Sequence, residues 1–137
     1  MNPLSPSPSE PRSAGSPALD CSVLVPVLDE AGTVLDLARR VREAIAPMGL
    51  SYEIIFVDDG SRDATCDRVR EARSLDANVK LVRLRRNFGK AAALTAGFDI
   101  ASGRLIVTLD GDLQDDPDEI PRMIQTLESG GFDLVSG

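Results

Sequence analysis

Histidine is missing from all 137 residues, which excludes a histidine-based catalytic triad and any histidine-ligated zinc within the chain. Only two cysteines occur, Cys21 and Cys66, so there is no disulfide framework and no CxxC metal pair. A reducing, cytosolic setting is the default expectation. Both thiols read as inert, one in a strand and one on a helix. No apolar run approaches the roughly 18 residues that a membrane span needs. Neither G-x-G-x-x-G nor G-x-x-x-x-G-K-[ST] is present, so neither a dinucleotide-binding turn nor a Walker-type phosphate loop is expected. Positive charge is also scarce. Fifteen Lys and Arg stand against 22 Asp and Glu, a net charge of -7 that argues against a nucleic-acid surface.

What remains is enough for one domain with a real core. Hydrophobic residues make up 42% and charged residues 27%, as in a soluble globular protein. The first 19 residues, MNPLSPSPSEPRSAGSPAL, hold five prolines and five serines and no apolar centre. They read as a disordered tail rather than a signal peptide, leaving 20–137 as the folded domain.

From Cys21 the pattern changes. CSVLVPV, YEIIFV, NVKLVRL and RLIVTL are short apolar runs of strand character, and FDLVSG starts a fifth. Helical periods lie between them. Val34, Leu37, Ala38, Val41 and Ile45 recur at spacings of three and four, with Pro47 and Gly49 as the stop. Ser61 is expected to cap a second helix running to about Arg73. A small-residue helix follows from Lys90 to about Ala101, and a fourth from Pro117 to Ser129. Ala91, Ala92, Ala93, Ala96 and Gly97 are expected to allow close packing on a sheet. This order predicts an α/β fold, Rossmann-like, with a mainly parallel sheet and helices on both faces.

In such sheets ligands bind outside the carboxyl ends of the strands. The four predicted exits carry Pro26, Leu28, Asp29 and Glu30; Asp58 and Asp59; Arg86, Asn87 and Lys90; and Asp110 and Asp112. Six acids crowd between Asp110 and Glu119. Like charges so close call for a cation, and a magnesium or manganese ion bridging carboxylate to phosphate is the expected one. Asp110 and Asp112, two apart in an extended segment, are expected to face one side, with Gly111 letting a ligand approach the backbone. Asp115, Asp116, Asp118 and Glu119 suit a helix start instead. Asp58 and Asp59 fit either a turn or hydrogen bonds to a base or ribose. Glu30 fits either the site or a helix's first turn. Arg83 and Arg85 read as solvated, while Arg86 and Lys90 are better placed for phosphate.

The series VPVLDE, IIFVDDGSRDAT, RNFGKAAAL and LDGDLQDDPDEIP resembles the nucleotide-sugar domain of family 2 glycosyltransferases, most closely the dolichol- and polyprenyl-phosphate sugar transferases. The resemblance runs from about Cys21 to Gly137. It implies a GT-A fold, a Mg²⁺ or Mn²⁺ ion, and a UDP- or GDP-sugar donor whose hexose passes to a polyprenyl phosphate. It further implies that Asp110, Asp112 and Gln114 hold the metal and that the two aspartates are catalytic. Pro26, Leu28, Glu30, Val57, Asp58, Asp59, Asn87, Lys90 and Gly111 would bind the nucleotide sugar. Leu28-Asp29 stands where the family often has Tyr-Asn, so stacking on the base from this loop is not expected. Relatives continue beyond the position of Gly137, and the acceptor half and membrane-associating segments are expected there. The setting implied is the cytoplasmic face of a membrane, with this chain the part that supplies donor and metal binding. Two other readings fit the residues: a phospho-acceptor signalling domain built on Asp58, Asp59 and Asp110, and a non-catalytic remnant.

Overall fold

The computed structural model describes residues 19–112, 116–130 and 134–136. Five parallel strands form one sheet in the order β3-β2-β1-β4-β5: β1 Leu19–Val27, β2 Tyr52–Asp58, β3 Val79–Arg83, β4 Gly103–Thr108 and β5 Leu134–Ser136. The helices between them are α1 Val34–Ile45, α2 Thr65–Leu75, α3 Lys90–Ile100 and α4 Ile120–Gly130. The parallel α/β architecture is the expected one. The first strand begins at Leu19, two residues earlier than its apolar run, so Leu19 belongs to the sheet and not to a tail. Residues 1–18, Gln114 and Asp115 lie outside the described residues.

Alternation along the strands divides the core in two. Cys21, Val23, Val25 and Val27 of β1, with Ile54 and Phe56 of β2 and Leu105 and Val107 of β4, face the apolar stripes of α1, α2 and α4. Leu24, Ile55 and Val57 face α3. The small residues there act as predicted. Ala93 is fully buried, and a Cβ at Gly97 would lie 3.3 Å from Leu24 and Val57 side-chain carbons. α3 thus rides close over β1 and β2.

Helices do cover both faces, but three to one. The β1-to-β2 and β4-to-β5 connections step in opposite directions across the sheet, yet α1 and α4 pack on the same face. The two crossovers therefore have opposite hands, a departure from the nearly universal right-handed form.

Helix ends show why the boundaries differ from the sequence reading. α1 gives way to a 3-10 turn, Ala46–Met48, closed by Gly49 in the left-handed region at φ 74°, as Pro47 and Gly49 suggest. α2 does not start at Ser61. Its first residue is Thr65, whose backbone N–H is taken by the Asp63 carboxylate (2.9 Å), and the Ser61 hydroxyl instead accepts the Asp29 N–H (2.8 Å). Before α4, the Asp116 carboxylate accepts the Asp118 N–H (2.9 Å) and pairs with Arg40 of α1 (2.8 Å). Asp116 therefore serves the helix start, as expected.

Candidate active site

Register brings the strand exits level. Val27 pairs with Asp58, Asp58 with Arg83, and Leu24 with Thr108, so Gly111 lies three residues past a position three before Val27. The four exits meet in one cleft of about 360 Å³ lined by Pro26, Val27, Leu28, Glu30, Asp59, Asn87, Gly89, Lys90, Asp110, Gly111 and Asp112. Of the twelve residues expected at the site, nine line this cleft. Gln114 lies outside the described residues, and Val57 and Asp58 are elsewhere.

Val57 is 1% exposed and packs under α3. Its side chain belongs to the core because it alternates away from Phe56 and Asp58. Asp58 is also 1% exposed, and both its carboxylate oxygens accept the Ser61 N–H at 3.2 Å. That is the turn role considered for it. Burial and the neighbouring Asp58 together raise the Cys66 thiol above its usual range, which keeps that cysteine protonated and unreactive. Burial, with Asp20 and Glu53 nearby, pushes Cys21 up to about 12.

Asp59 lines the cleft but is already engaged. Its two oxygens accept the N–H groups of Phe88 (2.8 Å) and Gly89 (3.0 Å), pinning the loop ahead of α3 to the end of β2. Gly60 makes this approach possible. Its φ is 93°, and a Cβ there would stand 2.7 Å from Asn87 N. Gly60→Ala is expected to lower the unfolding free energy by about 2 kcal/mol, read from a urea melt.

The loop after β1 is fastened to the loop after β2. Asp29 sits at φ 53° and its carboxylate accepts the Arg62 N–H (2.8 Å). The Glu30 N–H donates to Thr65 Oγ1 (2.9 Å), and Ala31 N–H to Asp63 (3.3 Å). The DGSRDAT run thus shapes the wall that carries Leu28 and Glu30. Thr33, which the sequence reading passed over, donates its hydroxyl to Gly111 O (2.5 Å) and ties α1 to the acidic exit.

The acidic exit itself differs from expectation in two ways. β4 ends at Thr108 and a turn covers Gly111 and Asp112, so strand alternation is not what aims the two aspartates. Gly111, which lines the cleft, is also required by β1. A Cβ there would lie 2.7 Å from Val27 Cγ1 and 3.1 Å from Pro26 O. Across the cleft the Lys90 ammonium hydrogen-bonds Asp110 Oδ1. Arg86 stands outside the cleft, with its guanidinium 5.0 Å from the centre of the Phe88 ring. With Arg62, Arg83 and Arg85 it lines an adjoining hollow of about 500 Å³ that also reaches Leu28 and Asn87.

Charge balance tests whether a cation fits. Burial raises the Glu30 carboxyl above its usual range, and Asp112, Asp63, Asp110 and Asp29 push it further. Such an excess of negative charge favours a hard cation. Among the described residues, no group of three or more His, Cys, Asp or Glu side chains is arranged to hold a metal alone. Asp110 and Asp112 would suit magnesium or manganese, ions that one or two protein carboxylates commonly hold.

The parallel sheet with helices on both faces is the GT-A fold, which solved glycosyltransferases share. Residues 22–137 match the profile of Glycosyl transferase family 2, and the chain belongs to that family. It is 44% identical over 121 residues to a dodecaprenyl-phosphate galacturonate synthase of Rhizobium johnstonii, covering 88% of this chain and 36% of that protein. It is also 44% identical over 115 residues to an undecaprenyl-phosphate 4-deoxy-4-formamido-L-arabinose transferase of Pseudomonas fluorescens, covering 83% and 34%. A mannosyltransferase of Pyrobaculum calidifontis, solved with GDP-Man and Mn²⁺, superposes with a TM-score of 0.69 at 26% identity over 87% of this chain and 36% of its own. The chain spans about a third of the length of these relatives. The phospho-acceptor alternative falls with this membership. Its doubly wound sheets run 2-1-3-4-5 rather than 3-2-1-4-5, and Asp58 and Asp59 are engaged by backbone donors. No helix among the described residues is long and apolar enough to cross a membrane.

Proposed function

We propose that the chain forms the donor-binding part of a metal-dependent glycosyltransferase that moves a sugar from a UDP- or GDP-linked donor to a polyprenyl phosphate at the cytoplasmic face of a membrane. The observation that carries this is the convergence of Glu30, Asp59, Lys90, Asp110 and Asp112 on one cleft. Asp110 and Asp112 would hold the magnesium or manganese ion. The ion, when bound, supplies positive charge against the charge building on a departing diphosphate. Lys90, at the first turn of α3, adds a second positive group beside that diphosphate, with the helix N-terminus behind it. Pro26, Leu28 and Asn87 form the wall toward which the nucleoside would extend. Thr33 and Asp59 orient the two loops without needing to touch the donor. A lipid phosphate is already an anionic nucleophile, so the reaction needs no strong general base. The relatives are about three times as long, and the proposal assigns acceptor recognition to that further length.

Calorimetry with UDP and GDP tests the reading. One of the two nucleotides is expected to bind in the presence of Mn²⁺ and to bind about tenfold more weakly, or not at all, in EDTA. Binding of neither nucleotide with Mn²⁺ would favour a non-catalytic remnant.

A further inference from the structure

We infer that Lys90 is a charge-exchange residue: it holds the Asp110 carboxylate in the ligand-free chain, yields it to a divalent cation, and then takes the diphosphate. The inference rests on the donor reading above and adds a coupling to it.

Geometry supplies the first half. The Lys90 ammonium occupies Asp110 Oδ1, an oxygen that a cation held by this exit would need. An ammonium and a divalent ion cannot both sit at contact distance from one carboxylate without strong mutual repulsion. Lys90 is therefore a competitor for the cation as well as a neighbour of it.

The second half follows from where Lys90 is anchored. Asp59 fixes the backbone just ahead of it through Phe88 and Gly89, so the lysine stem starts from a set point at the cleft wall. Its side chain is 62% exposed, on a stem long enough to reach from one partner to another within the same cleft. Displaced by a cation alone, the ammonium is left beside added positive charge. Displaced by a cation that brings a diphosphate, it gains a new anionic partner. Lys90 thus weakens binding of the cation alone and strengthens binding of the diphosphate, so each ligand raises affinity for the other.

The test compares the unmutated chain with Lys90→Gln and Lys90→Arg. Mn²⁺ binding without nucleotide is read by electron paramagnetic resonance, and UDP and GDP binding at saturating Mn²⁺ by calorimetry. Lys90→Gln is expected to bind Mn²⁺ alone about fivefold more tightly and the nucleotide about tenfold more weakly. Lys90→Arg restores the unmutated order, since it keeps the competing charge. A thermal melt checks that the exposed substitution leaves the fold intact. If Lys90→Gln binds Mn²⁺ alone no more tightly than the unmutated chain, or keeps its nucleotide affinity, the exchange is overturned. Failure of the donor reading looks different. There the unmutated chain binds neither nucleotide with Mn²⁺, which overturns that reading and the diphosphate half of this one together.

Discussion

Asp112→Ala is expected to abolish Mn²⁺-dependent nucleotide binding, weakening it about a hundredfold or more by calorimetry, while leaving the melting temperature almost unchanged. Asp112 is exposed, and it lines the cleft at a turn rather than in the core. Its carboxylate is one of the sources that raise Glu30, so its removal eases repulsion within the cleft. At an exposed turn, stability should change little. Binding should behave in the opposite way, because on the proposed reading a hard cation would lose one of its two carboxylates. Asp116→Ala is the matched control. That residue is also an acid of the same run, yet it caps the turn before α4 and pairs with Arg40. Its loss should cost about 1 kcal/mol of stability and leave nucleotide affinity alone. Equal losses of binding in the two variants would mean that the run acts as a diffuse negative field and not as a site.

Asp116's place at a helix start was legible in the sequence, since it precedes a proline, and so was Asp112's place in the cleft, since it follows a glycine at a strand end. The sheet was legible too, because five apolar runs alternate with helical periods. Hydrogen bonding across the loops was not. Asp59 stands at a strand exit and lines the cleft, and what its position does not announce is that its oxygens also hold Phe88 and Gly89 some thirty positions away. Ser61 reads as a helix cap because serine often caps, but the helix starts later, at Thr65, whose N–H goes to the nearer Asp63 carboxylate. Gly111 reads as room for a ligand, and only the register of β4 against β1 shows Val27 filling that room. The choice of face for α4 carries no periodic signal at all. An amphipathic helix fits either side of a sheet, and only packing against α1 decides. In each case the local pattern gives the residue's capability, and a distant partner decides its use.

The largest effect on stability should come from the other end of the sheet, at Glu53. This carboxylate is 1% exposed near the start of β2. It accepts the Ser22 hydroxyl of β1 (2.5 Å), the Lys80 ammonium of β3 (2.5 Å) and the Ser102 N–H ahead of β4 (2.6 Å). The Ser22 hydroxyl in turn accepts the Gly103 N–H at 2.7 Å. One side chain thus joins four consecutive strands of the order β3-β2-β1-β4. Glu53→Ala would strip partners from a buried hydroxyl and a backbone donor at once, and is expected to cost about 3 kcal/mol in a urea melt. Lys80 is 45% exposed and can turn to water, which keeps the loss below that of a fully buried pair. Burial works to raise the Glu53 carboxyl, but the bonds from Lys80, Ser22 and Ser102 outweigh it and hold the group below its ordinary value of 4.5. Its contribution is therefore complete above that value and fades as pH falls through the lower, folded-state range. The stability gap between the unmutated chain and Glu53→Ala should stay constant from neutral pH down to about 5 and narrow in stronger acid. A gap that instead widened on acidification would mean that Glu53 is protonated in the folded chain, with Lys80 unpaired.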